Sequence, residues 1–255
     1  MNSQVAAPQI IFYAEKNCSA ALIDAVENQT HLDTVFTLPD SSQDCLVLKA
    51  SDTGLSLSKN DCVLKLNFSQ MLSRLIPNNL NHELLIKAAR FKNRSGPLTA
   101  IDATAGLGQD AFLLAASGFS VQLYERDPII AALLNDALFR GKQDARIAPI
   151  LDRMHLHIAD SIHMLPQLPD SPDVVLLDPM FPRRQKSGLI KKKFQLLHLL
   201  EQPCQDETAL LAAAISCNPR RIIIKRPCNG ACLAGKQPTY VLKGGTIRYD
   251  CIVCR

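Results

Sequence analysis

Thr99-Ala100-Ile101-Asp102-Ala103-Thr104-Ala105-Gly106-Leu107-Gly108-Gln109-Asp110-Ala111 is a short apolar run ending in a carboxylate, then a turn of small residues with two glycines, then the start of an apolar helical pattern that continues to Ala116. It reads as strand, tight turn and helix start. Glycines in such a turn let a ligand approach the backbone closely, and a helix N-terminus offers unpaired N–H groups. A second apolar run, Val121-Gln122-Leu123-Tyr124, ends at Glu125, nineteen residues after Gly106. An acid at that offset is where a nucleotide-binding βαβ unit holds ribose hydroxyls.

The turn leaves its ligand open. Gly106-x-Gly108-x-x-Ala111 satisfies the dinucleotide fingerprint, and it also suits S-adenosylmethionine or a structural turn with no ligand. Asp102 weighs against NAD, because a carboxylate at the end of the first strand faces and repels a pyrophosphate. A ligand carrying an ammonium and a sulfonium is attracted instead.

Asp173-Val174-Val175-Leu176-Leu177 is a buried-strand run, and Asp178-Pro179-Met180-Phe181-Pro182 follows it. In open α/β sheets, ligands sit beyond the carboxyl ends of the strands. An acid, a rigid proline and an aromatic ring at that place suit a planar amine: the carboxylate accepts from the NH₂ group and the ring stacks on a base. A proline-rich turn with Phe181 in the core is the plainer alternative.

Outward from these motifs, strands and helices alternate from Leu98 onward, which predicts a doubly wound parallel α/β sheet. Asp127 caps a helix from Pro128 to just before Gly141, with Arg140 near its negative end. Further strands are expected at Met154 to Ile158, ending at Asp160-Ser161, and at Arg221 to Lys225, with a helix over Glu207 to Cys217. Tyr240 to Lys243 and Thr246 to Cys254 flank Gly244-Gly245, a hairpin signal. A parallel sheet closed by a C-terminal antiparallel hairpin is the arrangement of S-adenosylmethionine-dependent methyltransferases, and it further weakens the NAD reading. Residues 98–255 therefore read as a Rossmann-like methyltransferase domain. Residues 1–66 read as a small α+β domain, with strands at Gln9 to Ala14, Cys45 to Ala50, Gly54 to Ser58 and Cys62 to Leu66 and a helix at Ala20 to Asn28. Residues 67–97 form a connecting segment with a helix over Asn81 to Phe91.

The net charge of +4 permits a nucleic-acid partner without demanding one. Charge is concentrated after the Asp178 motif, where Arg183, Arg184, Lys186, Lys191, Lys192 and Lys193 fall within eleven residues. Such a run is either an ordinary solvated face or a rim that draws phosphates and delivers a base to Phe181. Lys225-Arg226 ends the fifth strand and extends that rim. Nine cysteines, an odd number, suit a reducing cytosol better than a disulfide framework. Cys228, Cys232, Cys251 and Cys254 are read as core thiols rather than zinc ligands, since Cys251 and Cys254 point to opposite faces of a strand. His155 and His157 read as partly exposed structural residues. No apolar run is long enough for a membrane span and no signal peptide is read, so a cytoplasmic protein is expected.

Asp102-Ala-Thr-Ala-Gly-Leu-Gly-Gln-Asp-Ala-Phe112, Glu125-Arg126-Asp127-Pro128, Leu177-Asp-Pro-Met-Phe-Pro182 with Gln185-Lys186-Ser187, and Lys225-Arg226-Pro227 resemble the ribosomal RNA small-subunit methyltransferase J family over roughly residues 98 to 250. The resemblance implies methyl transfer from S-adenosylmethionine to the exocyclic N2 of a guanine in small-subunit (16S) rRNA, as RNA or in the 30S particle. Under it, Asp102 and the turn Ala105–Asp110, with Gly106, Gly108 and Gln109, hold the methionine end of the cofactor. Glu125 binds the ribose, Arg126 lies beside the adenine, and Asp160 and Ser161 approach the adenine amine. Asp178, Pro179 and Phe181 handle the acceptor amine and base. Two departures stand out: Gln109 replaces a basic residue, and residues 67–83 lack a basic, glycine-rich stretch. A non-catalytic RNA-binding or assembly protein and an NAD-dependent oxidoreductase are the competing classes.

Overall fold

The structure, a computed structural model, describes residues 9–39, 45–92, 96–179, 196, 199–200 and 206–255. These fall into two units, one from residues within 1–67, 127–140 and 182–203, the other from residues within 68–126, 141–181 and 204–255.

The first unit holds β1 (Ile10–Ala14), α1 (Ala20–Thr30), β2 (Thr34–Val35), β3 (Leu46–Ser51), β4 (Gly54–Lys59) and β5 (Cys62–Leu64). They build a five-stranded sheet in the order β2-β1-β3-β4-β5, parallel from β2 to β3 and antiparallel beyond. Asp127 caps the helix Pro128–Gly141 as expected, its Oδ1 accepting from the N–H groups of Ile129 and Ile130. Within that helix, buried Asp136 accepts from Leu55 N–H at 3.0 Å and pairs with Arg140. Gly54, at φ +103°, leaves space that a Cβ would take from the Arg140 side chain. Glycine is required there twice over, for its backbone angle and for the close approach.

In the second unit, residues 68–89 differ from the single helix expected over Asn81 to Phe91. Three short helices occur, α2 (Leu72–Leu75), α3 (Pro77–His82) and α4 (Leu84–Ala89). Ile76 precedes Pro77 and is pushed to an extended ψ of 129°, which breaks the first pair. Glu83, also at ψ 129°, breaks the second. Tertiary packing holds these short pieces. Phe68 stacks on Phe112 with ring centroids 5.0 Å apart, and Leu85, Ile86, Ala88 and Ala89 are buried.

From Leu98 onward the chain follows the alternation, with the first unit's helix Pro128–Gly141 falling between Glu125 and Ala148 in sequence. After β6 (Leu98–Asp102) come α5 (Gln109–Ala116), β7 (Phe119–Glu125), the helix Pro128–Gly141 as α6, α7 (Ala148–Leu151), β8 (Met154–Ile158), α8 (Ser161–Met164), β9 (Val174–Leu177), α9 (Glu207–Ser216), β10 (Arg221–Pro227), β11 (Tyr240–Lys243) and β12 (Ile247–Val253). The sheet order is β11-β12-β10-β9-β6-β7-β8, with β12 antiparallel to both its neighbours and every other pairing parallel. All four residues of β9 are buried, the continuous apolar run of a strand covered on both faces. Ile101, Val175, Leu177, Ile222 and Ile224 share one core cluster with Leu210 and Ala214 of α9. Burying one such side chain stabilises by about 1.5–3 kcal/mol. The winding of the strand order reverses between the parallel neighbours β6 and β9, so a crevice opens beyond their carboxyl ends. Asp102 pairs with Leu176 across that switch, which brings Asp178 to the same level. At Gly244, in the β11–β12 turn, a Cβ would come within 2.9 Å of Leu84 Cδ1 and 3.1 Å of Ile247 O, so a side chain there would push the end of Leu84 aside.

Of the four cysteines expected to be core thiols only Cys251 is buried: Cys228 and Cys232 are half-buried, and Cys254, just past the end of β12, is exposed. His157 stacks on Tyr124 and shares a hydrogen bond with Gln122. Among the described residues, no helix is long and apolar enough to cross a membrane.

Candidate active site

Two loops meet at the switch point, and one side chain joins them. Thr104 donates its backbone N–H to Asp102 Oδ1 at 3.2 Å, and its hydroxyl accepts from Asp178 N–H at 2.7 Å. The turn after β6 and the residue after β9 are thus locked in register. Gly106 and Gly108 take left-handed angles, φ +50° and +68°, that side chains rarely adopt. Gly106 N–H donates to Glu125 Oε2 at 2.8 Å, so the acid ending β7 also pins the glycine turn. Beyond β8, Asp160 Oδ1 caps α8 by accepting from Ile162 N–H at 2.9 Å. Its Oδ2 lies 3.5 Å from Arg126 Nη1, and Ser161 is buried beneath. Asp102, Gly106, Gly108, Asp110, Glu125, Arg126, Asp160, Ser161 and Asp178 therefore gather along the carboxyl ends of β6 to β9. Pro179 is buried beside Asp178, and Gln109 is exposed as the first residue of α5.

Lys225 is the residue whose place the sequence misjudges. It does not extend an open basic rim. Its Nζ lies 2.7 Å from Asp110 Oδ2 and 2.9 Å from Asp178 Oδ2, inside the carboxylate cluster. Arg226 is also off any rim: it is 4% exposed, donates to Ala231 O, and pairs with Glu207 of α9. A buried guanidinium committed to these acceptors cannot meet phosphates. The alternation of β10 explains both, since it turns Lys225 and Arg226 to opposite faces of a sheet covered on both sides. Tyr249, which sequence reasoning passed over, stands directly opposite Lys225 in the antiparallel register. Phe181, Arg183, Arg184, Lys186, Lys191, Lys192 and Lys193 lie outside the described residues.

The electrostatics follow from burial. Asp102 is 2% exposed, and burial, with Asp110 nearby, pushes its carboxyl up to about 8. Burial also raises Asp178, opposed by the Lys225 ammonium and reinforced by Asp110. Burial works against the Lys225 charge, but the two carboxylates override it and raise its pKa. Three carboxyl groups share one ammonium, so the cluster favours a cationic ligand. An ammonium and a sulfonium fit it, and a pyrophosphate does not.

This sheet order, with a glycine turn after the first strand, an acid ending the second and Asp-Pro after the fourth, defines a SAM-dependent methyltransferase. Comparison with known proteins agrees. The family described as "Putative SAM-dependent methyltransferase" matches residues 31–254. A ribosomal RNA small subunit methyltransferase J from Dechloromonas aromatica is 36% identical over 226 residues, covering 86% of this chain and 92% of the relative. Its counterpart from Marinobacter nauticus is 43% identical over 169 residues, 66% of this chain and 61% of that protein. For the Pseudomonas syringae pv. tomato counterpart the figures are 44%, 66% and 62%, so these two matches span about three-fifths of the relatives' length. Among solved structures, a SAM-dependent methyltransferase from Neisseria gonorrhoeae superposes with a TM-score of 0.76 at 28% identity, covering 95% of both chains. The chain belongs to the ribosomal RNA small subunit methyltransferase J family, and S-adenosylmethionine, not NAD, is its cofactor.

Proposed function

We propose that this protein transfers a methyl group to the exocyclic N2 amine of a guanosine in small-subunit ribosomal RNA, in the cytoplasm. The observation that carries the reading is the placement of Asp178. It ends β9 at the switch point, tied to the glycine turn through Thr104 and held by Lys225. Bound at the turn, S-adenosylmethionine supplies an electrophilic methyl carbon on a sulfonium. Asp102 would hold its ammonium and Glu125 its ribose hydroxyls. Arg126, Asp160 and Ser161 would face the adenine.

The chain's own contribution is chiefly positioning, which can supply several kcal/mol of the barrier. Asp178 and the Pro179 carbonyl accept hydrogen bonds from the amine and turn its lone pair toward the methyl carbon. Lys225 keeps Asp178 ionised for that task. Phe181 stacks on a base that must first leave its helix or be presented in a loop. The run from Arg183 to Lys193 draws phosphates to the site.

The test is methyl transfer by the purified protein to 16S rRNA and to 30S particles from cells lacking it, with the modified nucleotide mapped. A single N2-methylguanosine is expected. Transfer to another atom or base would overturn the guanine-N2 reading, and no transfer to either substrate would favour the non-catalytic assembly role.

A further inference from the structure

A cavity of about 480 Å³ opens beside Asp110 and Lys225, within the range of roughly 300–1,000 Å³ that small-ligand pockets occupy. One wall comes from the short helices, with Asn79, Glu83 and Leu84, and the other from β12, with Ile247 and Tyr249. Gln109 and Asp110, at the end of the glycine turn, line it on one side, and none of Gly106, Glu125, Arg126 or Asp160 does. The cofactor residues stand at the ends of β6, β7 and β8, and the cavity lies toward β10 and β12. The two regions meet at Asp110 and Lys225, and Lys225 in turn touches Asp178. A group held in the cavity therefore lies beside Asp110 and Lys225, one contact away from Asp178.

The lining suits a nucleobase. An enzyme that modifies a base reads it outside the stack by hydrogen bonds to its edge and by contact with its faces. Tyr249, Leu84 and Ile247 supply flat or apolar surface. Glu83 supplies an acceptor: Arg74 Nε donates to its Oε1 at 2.7 Å, while Oε2 accepts no hydrogen bond among the described residues. Asn79, which also lines the cavity, donates its Nδ2 to Ser73 O at 2.7 Å, and its carbonyl oxygen is a second acceptor. Acceptors match the N–H-rich edge of a purine such as guanine.

Resting on the methyltransferase reading above, we propose that this cavity receives the unstacked acceptor nucleotide of the RNA, with Glu83 and Asn79 as specificity-determining residues. Residues 67–83 supply part of that wall, through Arg74, Asn79, His82 and Glu83.

The test compares wild type, Asn79→Trp and Glu83→Gln for S-adenosylmethionine affinity by calorimetry and for steady-state methylation of 16S rRNA. Asn79→Trp fills the cavity, and kcat/KM for RNA should fall by more than about tenfold while cofactor affinity stays within about twofold. Glu83→Gln should raise the RNA KM about tenfold, the size of one lost base contact, with kcat less affected. RNA kinetics unchanged in both variants, with wild type active, would overturn the assignment. If Asn79→Trp also loses the cofactor, Glu83→Gln alone decides by the same criterion. A wild type that methylates no RNA would instead defeat the underlying reading.

Discussion

Lys225 Nζ lies 2.9 Å from Asp178 Oδ2 and is the counterion of the residue proposed to meet the acceptor amine. The same ammonium reaches Asp110 on α5, so one cation couples the helix after the glycine turn to the residue after β9.

Lys225→Met should remove that coupling. Asp178 loses the cation that opposes its raised pKa, so its carboxyl rises further and less of it is ionised at neutral pH. The acid limb of the kcat profile should move to higher pH, and turnover at pH 7 should drop by at least about tenfold, the effect of 1.4 kcal/mol on the barrier. Lys225→Arg should restore part of both. A pH–rate profile that keeps its acid limb in Lys225→Met would remove Lys225 from the role.

Asp102 makes the free protein pH-sensitive. Its folded pKa of about 8 exceeds the ordinary 3.8, so between about pH 4 and pH 8 the folded state binds the extra proton. Stability contributed by this group therefore falls as pH rises through that window. Asp102→Asn should flatten the slope and stabilise the cofactor-free protein at pH 8. Cofactor binding has the opposite sign, because a cationic ligand favours the carboxylate. S-adenosylmethionine should bind tighter from pH 6 to 8 and release a proton, and Asp102→Asn should bind weakly with no such trend. Thermal melts and calorimetry in two buffers of different ionisation heat check both.

Glu125 serves the turn and, in the proposed role, the ribose. Glu125→Ala should weaken S-adenosylmethionine by about 1.5–3 kcal/mol, the scale of hydrogen bonds to a charged group. Glu125→Gln keeps an oxygen for Gly106 N–H and should lose less. Equal affinity for wild type and Glu125→Ala in a calorimetric titration would sink the ribose assignment.

The basic residues should separate into two kinds. Replacing Lys191, Lys192 and Lys193 together should lower the salt slope of RNA binding by about 0.7 to 0.9 per contact and leave S-adenosylmethionine affinity alone. Arg226→Gln should leave the salt slope unchanged and cost about 1–3 kcal/mol of stability, because Glu207 and Ala231 O lose their donor. Filter binding across a salt series and denaturant unfolding distinguish the outcomes. An unchanged slope in the triple variant would make the lysine run a solvated face.

The sequence carried the sheet well because its signals were local. Met154–Ile158 and Tyr240–Lys243 are strands at the bounds their alternation predicts, and Asp127 caps its helix by its own side chain. It failed where partners are distant. β2 is two residues long and exists only by pairing with β1. Lys225 and Asp110 are 115 residues apart, and nothing in either neighbourhood announces their contact. The one available clue was a lone lysine ending the buried run Ile222-Ile223-Ile224, a position over the switch point where a cation needs a nearby carboxylate.

β12 is translated after every other strand of its sheet, yet it sits between β10 and β11 and pairs with β10 over seven residues, from Arg221↔Val253 to Pro227↔Ile247. Until it is made, β10 is an unprotected edge, and Tyr249 is missing from its place opposite Lys225. A ribosome-bound nascent chain thus has its glycine turn early and the facing wall of its crevice last. The order of synthesis itself withholds the complete site until β12 has emerged, and a chain stalled before Ile247 presents the glycine turn without the surface that faces it.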